Sequence, residues 1–142
     1  MMVSTKGRYA LRVMLDLAEN AEKGYIPLKE VALRQEISEK YLENIISMLV
    51  RTGLLSAVRG KGGGYKLKKA PSEYTVKEIL EVTEGSLAPV ACLSNSGICG
   101  KSEICKTLPM WKRLDNIING FFSGITLEEL LKENDLTEKC NE

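Results

Sequence analysis

Residues 38–67, SEKYLENIISMLVRTGLLSAVRGKGGGYKL, hold two different apolar periods divided by one glycine. In the first, Ser38 is an N-cap, Leu42, Ile45, Ile46 and Leu49 recur at helical spacing, and Gly53 stops the helix. In the second, residues 54–58 form a strand, 59–64 a turn, and 65–67 a returning strand. The product is a helix followed by a β-hairpin whose tip carries four glycines and two cations, Arg59 and Lys61.

Upstream, Ser4 caps a first helix with Tyr9, Val13 and Leu17 on one face and Ala10, Met14 and Ala18 beside them, ended by Gly24. Pro27 opens a short second helix through Leu28, Val31 and Ala32, and residues 35–37 are a tight connection to the helix at Ser38. Two short helices so joined make a helix-turn-helix, and the hairpin that follows turns it into a winged helix. Downstream, residues 71–73 break the chain, and Thr75 with Glu78 forms a capping box for a short helix through Val82, closed near Gly85. A polar loop spans 86–107. Pro109 suits the first turn of a long helix bearing a stripe of Trp111, Leu114, Ile118 and Phe121, with Ile117 and Phe122 beside it. Thr126 and Glu129 repeat the capping box before a last short helix. The expected fold is mainly α with a small β-hairpin wing. Its segments are a winged helix-turn-helix DNA-binding domain over 1–85, a cysteine-rich loop over 86–107, a long and a short helix over 108–133, and a frayed, flexible tail over 134–142.

The net charge of +1 conceals a split. Residues 1–70 contain 13 Lys and Arg against 7 Asp and Glu, whereas residues 71–142 contain 7 against 12. A basic first half beside an acidic second half assigns the polyanion partner to the first half alone. No apolar run reaches the roughly 18 residues of a membrane helix. The N-terminus lacks the apolar block of a signal peptide, so a cytoplasmic protein with reduced thiols is expected. The chain has no histidine, no paired acids in a recognisable cleft and no cofactor loop, which argues against an enzyme.

The N-terminal end of a recognition helix faces base edges in the major groove, which selects Ser38, Lys40, Tyr41, Glu43 and Asn44. Ser38 and Tyr41 can bond phosphates, Glu43 can accept from cytosine N4, and Asn44 can read adenine from an outward position. On the wing, a guanidinium at Arg59 suits the negative potential of a narrow minor groove, and Lys61 suits phosphate. A phosphate-binding Walker loop is the competing reading of the glycines, but no Ser or Thr follows the Gly-Lys pair and no helix follows the loop.

The loop PVACLSNSGICGKSEICKTLP contains Cys92, Cys99 and Cys105, three of the four cysteines; Cys140 lies alone near the end. Three thiols in one polar loop suit a soft metal centre, an iron–sulfur cluster with a replaceable fourth ligand being the first choice. Zinc is the metal alternative, although paired Cys-x2–4-Cys knuckles are absent. A metal-free thiol-redox switch is the third account, although Cys-x-x-Cys is absent.

The stretches 4–10 (STKGRYA), 41–43 (YLE) and 58–65 (VRGKGGGY), with the three-cysteine loop and the helix after it, resemble the IscR-type winged-helix regulators over roughly residues 2–131. The resemblance implies a homodimer formed by the helix at about 108–123, with Trp111, Leu114, Ile118 and Phe121 at its seam. It implies an iron–sulfur cluster, two-iron in preference to four-iron, on Cys92, Cys99 and Cys105. It implies binding of palindromic double-stranded promoter DNA by residues 38–51 and 59–65, as a repressor of cluster-assembly genes, and no membrane partner. The allostery expected of such a protein fixes residues 92–107 against the dimer helix on cluster loading. Relatives that respond to nitric oxide, iron or thiol redox share the fold and remain alternatives, as does a zinc-stabilised DNA-binding protein. Those regulating cysteine metabolism generally lack the three-cysteine loop. Two departures stand out: the Cys92–Cys99 spacing is one residue longer than usual, and Leu108 occupies the position of a ligating histidine. Arg8 occupies the position from which some members supply a carboxylate. The fourth ligand is thus left to Glu103, Cys140, a carboxylate of the partner subunit, or a small thiol or water.

Overall fold

The computed structural model describes residues 3–94, 100, 101 and 103–133. Helix α1 (Thr5–Glu19) begins where the Ser4 hydroxyl accepts from the Gly7 amide at 3.1 Å. It ends at Asn20, earlier than Gly24, because residues 21–23 tighten into a 3-10 turn. Helix α2 (Leu28–Gln35) starts after Pro27, whose φ of −62° is already fixed. It is linked to helix α3 (Glu39–Arg51) by Glu36 in the left-handed conformation at φ 54°. Ser38 caps α3 by accepting from the Tyr41 amide at 3.2 Å.

Strands β1 (Leu55–Val58) and β2 (Gly64–Leu67) pair antiparallel, Leu55 opposite Leu67 and Val58 opposite Gly64. Ile26 adds a third rung by exchanging both backbone bonds with Tyr65 at 2.9 Å. A Cβ on Gly64 would overlap the Ile26 carbonyl, and its φ is +150°, so glycine is required where the wing meets the chain before α2. Helix α4 (Val76–Glu84) carries the capping box of Thr75 and Glu78. A one-turn helix α5 (Ala91–Ser94), not anticipated from the polar loop sequence, precedes α6 (Leu108–Ser123) and α7 (Leu127–Lys132).

One core joins α1, α2, α3 and β1. Ala10, Val13, Met14, Ile26, Val31, Leu42, Ile45, Leu49, Leu55 and Ile79 are sealed within it. Burying each large aliphatic side chain contributes about 1.5–3 kcal/mol. Leu127 of α7 is fully buried in this same core. Its amide donates to the Tyr74 carbonyl at 3.0 Å, while the Val76 amide donates to the Ile125 carbonyl at 2.9 Å. The last helix therefore closes the winged helix as well as following α6. A second cluster, Val76, Leu80 and Leu87, takes Val3, Leu11, Ile118, Phe122 and Ile125 against it.

Two buried residues inside this frame, Tyr74 and Gly7, make contacts with no local sequence signal. Tyr74 is fully buried, and its hydroxyl donates to the Leu54 carbonyl at 2.8 Å while accepting from the amides of Lys68 and Lys69 at 2.9 and 3.1 Å. One phenol thus pins the end of α3 to the exit of the wing. Gly7 is buried against the end of α4, where a Cβ would come within 2.5 Å of a Glu84 carboxylate oxygen; that carboxylate accepts from the Ser4 amide at 3.1 Å. Both contacts lie within the 1–85 segment, while α6 packs on α4 and α7 packs on α1.

Candidate nucleic-acid interface and cysteine loop

Leu42, Ile45, Ile46 and Leu49 face the core, so the other side of α3 faces solvent. Ser38, Lys40, Glu43 and Asn44 are exposed there, and Tyr41 is half-buried. Ser38, Lys40, Tyr41 and Asn44 line a shallow hollow of about 430 Å³ at the helix's N-terminal end. The sequence reading placed all five at that end, and the structure brings four of them around one depression, with Glu43 exposed on the adjacent turn.

Arg59 and Lys61 are exposed on the wing turn. Arg59 lines a cleft of about 570 Å³ between the wing and α3, which also takes in Ser47 and Arg51 of α3 and Pro27 and Leu28 at the start of α2. Ser47 and Arg51 were missed from sequence. Their signal was present: 40, 44, 47 and 51 follow the helical spacing opposite to 42, 45, 46 and 49. The lining of the cleft combines two arginines, Arg51 of α3 and Arg59 of the wing, with the glycines 60, 63 and 64.

The cysteine segment lies between α4 and α6 in the chain. Cys92 sits on α5 and Cys105 two residues before the Thr107 cap of α6; both thiols are free and half-buried. Cys99 and Cys140 lie outside the described residues. Among the described residues no three Cys, Asp or Glu side chains converge as a complete metal site. The donor chemistry at Cys105 nevertheless suits a thiolate ligand. The Thr107 hydroxyl, 3.3 Å from Sγ, and then the backbone amides of Thr107 and Leu108 lower the Cys105 pKa below the ordinary thiol value. The Thr107 side chain makes no cap bond to α6, and its hydroxyl is set against the Cys105 sulfur instead. Of the two positions compared with ligand sites above, Leu108 begins α6 and the Arg8 guanidinium donates to the Thr5 hydroxyl at 3.3 Å.

On α6 the apolar stripe divides. Ile118 and Phe122 turn inward onto the second cluster, so Ile118 does not stand on the open face as expected. Ile117 stands there in its place. Met110, Leu114, Ile117 and Phe121 are 52%, 37%, 66% and 62% exposed, and Trp111 is half-buried. No residue of α6 is fully buried.

The Rrf2 family profile, described as an iron-dependent transcriptional regulator, matches residues 3–133. The chain is 40% identical over 138 residues to the HTH-type transcriptional regulator IscR of Photorhabdus laumondii subsp. laumondii, covering 97% of this chain and 84% of that protein. It is 39% identical to the protein of the same name from Escherichia coli O1:K1 / APEC, covering 97% and 85%. Among solved structures it is similar to CymR, the global cysteine regulator of B. subtilis, with a TM-score of 0.77, 32% identity and coverage of 94% and 98%. It is also similar to T. potens IscR, with a TM-score of 0.72, 34% identity and coverage of 94% and 88%.

Proposed function

The chain belongs to the Rrf2 family of transcriptional regulators, and from that footing we propose that it is a homodimeric, cytoplasmic repressor whose affinity for promoter DNA depends on an iron–sulfur cluster. Its named relatives are regulators of transcription, a class without catalysis, and no helix among the described residues is long and apolar enough to cross a membrane. The finer reading is our own. Ser38, Lys40, Tyr41, Glu43 and Asn44 meet the major groove, Arg59 enters the adjoining minor groove, and Lys61 meets phosphate. The exposed face of α6 seats a second copy, so that two recognition helices address one palindrome.

Cys92, Cys99 and Cys105 would hold the cluster, two-iron in preference to four-iron. When bound it supplies a redox- and exchange-sensitive crosslink within the loop. The observation that carries this reading is Cys105: a free, half-buried thiol 3.3 Å from the Thr107 hydroxyl, which favours its thiolate, just before the helix that bears the open apolar face. Cys105 stands just before α6 and Cys92 on α5, so a ligand spanning them would tie the start of α6 to α5. Control of cluster-assembly genes is the use this arrangement suits.

Anaerobic reconstitution with iron and sulfide is expected to give a coloured protein with matched iron and sulfide, and the colour should vanish in Cys92→Ala, Cys99→Ala or Cys105→Ala. A colourless protein with stoichiometric zinc overturns the cluster reading and leaves a zinc-stabilised DNA-binding protein.

A further inference from the structure

Away from the reader's open surface, one chain of polar and aromatic contacts crosses three elements and ends on Tyr41. It starts at Asp16, the one buried charged side chain among the described residues. Its carboxylate accepts from Arg34 Nε at 3.0 Å, from the Arg34 terminal nitrogen at 2.8 Å and from Gln35 Nε2 at 2.9 Å. A buried carboxylate requires such donors, so the side-chain amide of Gln35 has one acceptable orientation. With its nitrogen committed to Asp16, its oxygen accepts from Arg12 Nε at 3.0 Å, and the Gln35 carbonyl accepts from the Arg12 terminal nitrogen. The guanidinium held in this way lies over the Tyr9 ring, 5.0 Å from its centroid. The Tyr9 ring meets Tyr41 edge to face, with centroids 5.9 Å apart and planes at 77°.

Each link has a preferred direction, and the direction is inherited from a carboxylate that cannot turn without losing three donors. Tyr9 and Arg12 belong to α1, Gln35 is the last residue of α2, and Tyr41 stands in the first turn of α3, the end proposed above to face bases. We propose that Tyr9 and Arg12 are positioning residues for DNA recognition, setting the Tyr41 ring and the turn before α3 without themselves touching the duplex. This rests on the DNA-binding reading above. Two Arg12 nitrogens are already committed to Gln35, and its planar face is against Tyr9, which leaves it poorly suited to a phosphate. A positioning role explains why an exposed arginine is held at both its nitrogens and its face.

The test uses the full chain and a duplex it selects from random DNA. Arg12→Gln is expected to weaken binding about three- to tenfold, the range for losing one cation–π or aromatic contact. The slope of log affinity against log salt should stay unchanged, and the loss should disappear in a Tyr41→Leu background. A slope reduced by about one identifies Arg12 as a direct phosphate contact and overturns the proposal. Additive losses of Arg12→Gln and Tyr41→Leu overturn it as well. Tyr9→Leu should weaken binding in the same non-additive way, and Tyr9→Phe, which restores the ring, should recover it. Should Tyr9→Leu lower the Tm, the exposed Arg12→Gln substitution carries the test alone. If the unsubstituted chain selects no duplex, the DNA-binding reading fails first; a selected duplex with additive losses sinks only the proposal made here.

Discussion

The winged helix and the α5–α6 segment are built from similar fractions of apolar residues but reach opposite ends. Around α1–α4 every apolar stripe finds a partner in the same chain, and side-chain caps or buried phenols satisfy the polar groups at element ends. In α6 only Ile118 and Phe122 find partners in the chain, while Leu114, Ile117 and Phe121 face outward. One region buries its apolar faces within the chain, and the other leaves one of its apolar faces in solvent. A helix buries one face against its own domain to be positioned and leaves another apolar to be recognised.

The sharpest way to break that contrast is to remove matching methyl groups from both regions. Leu49→Ala in the sealed core should cost about 2–5 kcal/mol of unfolding free energy, because its cavity cannot collapse. Leu114→Ala on the open face should leave the unfolding of the monomer nearly unchanged, since Leu114 is 37% exposed with no core around it. Chemical denaturation at low protein concentration reads both. Equal losses would mean that α6 is as enclosed as α3, and the contrast would fall.

A second break acts on the open face alone. Ile117→Asp with Phe121→Asp places two charges where the proposed second copy seats, and both parent side chains are more than half exposed. The protein should remain folded by circular dichroism but sediment as a monomer. Affinity for a two-half-site duplex should fall about a hundredfold, the low end of what linking two modules adds. A folded dimer with unchanged affinity would move the seam away from α6.

The third test sharpens the sealed side. Tyr74→Phe removes a hydroxyl that satisfies two amides and one carbonyl, and should cost about 1–3 kcal/mol without moving the ring. Because the lost bonds join the end of α3 to the wing, amide exchange should rise first at Lys68 and Lys69. Protection unchanged at those two amides would deny the phenol its role as a peg.

These regions also differ in how far the sequence foretold them. Caps at Ser4, Ser38, Thr75 and Thr126 and the inward set of α3 depend on neighbours within four residues, and they were legible. Tyr74 was not, because its partners come from residues 54, 68 and 69, and a tyrosine beside a Pro-Ser-Glu break reads as loop. Asp16 was not, because the arginine that makes its burial tolerable lies 18 residues onward. The division of the α6 stripe between Ile118 and Ile117 was hidden for a related reason. Helical spacing identifies an apolar side, but two successive positions are assigned by where the second cluster of α4 and Leu87 stands. Of the candidate site, the exposure of Ser38, Lys40, Glu43, Asn44, Arg59 and Lys61 was legible, because these polar residues fall opposite the apolar set of α3 or on the wing turn. The separation of Cys92 and Cys105 onto two different helix starts was not, since a one-turn helix has too few residues to carry a period.

The smallest expected effect probes the residue just before the start of α6. Cys105 is turned toward its thiolate first by the Thr107 hydroxyl and then by the amides of Thr107 and Leu108. A lowered thiol pKa means that the reactive thiolate is populated at lower pH, so alkylation of Cys105 in metal-free protein should reach half its maximal rate below the ordinary thiol midpoint. Thr107→Val removes the largest of the three contributions and leaves both amides, so the midpoint should rise but stop short of an unperturbed thiol. Peptide mapping of iodoacetamide adducts against pH reads the shift at Cys105 separately from Cys92. A midpoint that Thr107→Val leaves in place would assign the effect to the start of α6 alone. In that event the thiolate is favoured by the backbone at the start of α6, and any ligand gathered at Cys105 is tied to the helix whose outer face is apolar and exposed.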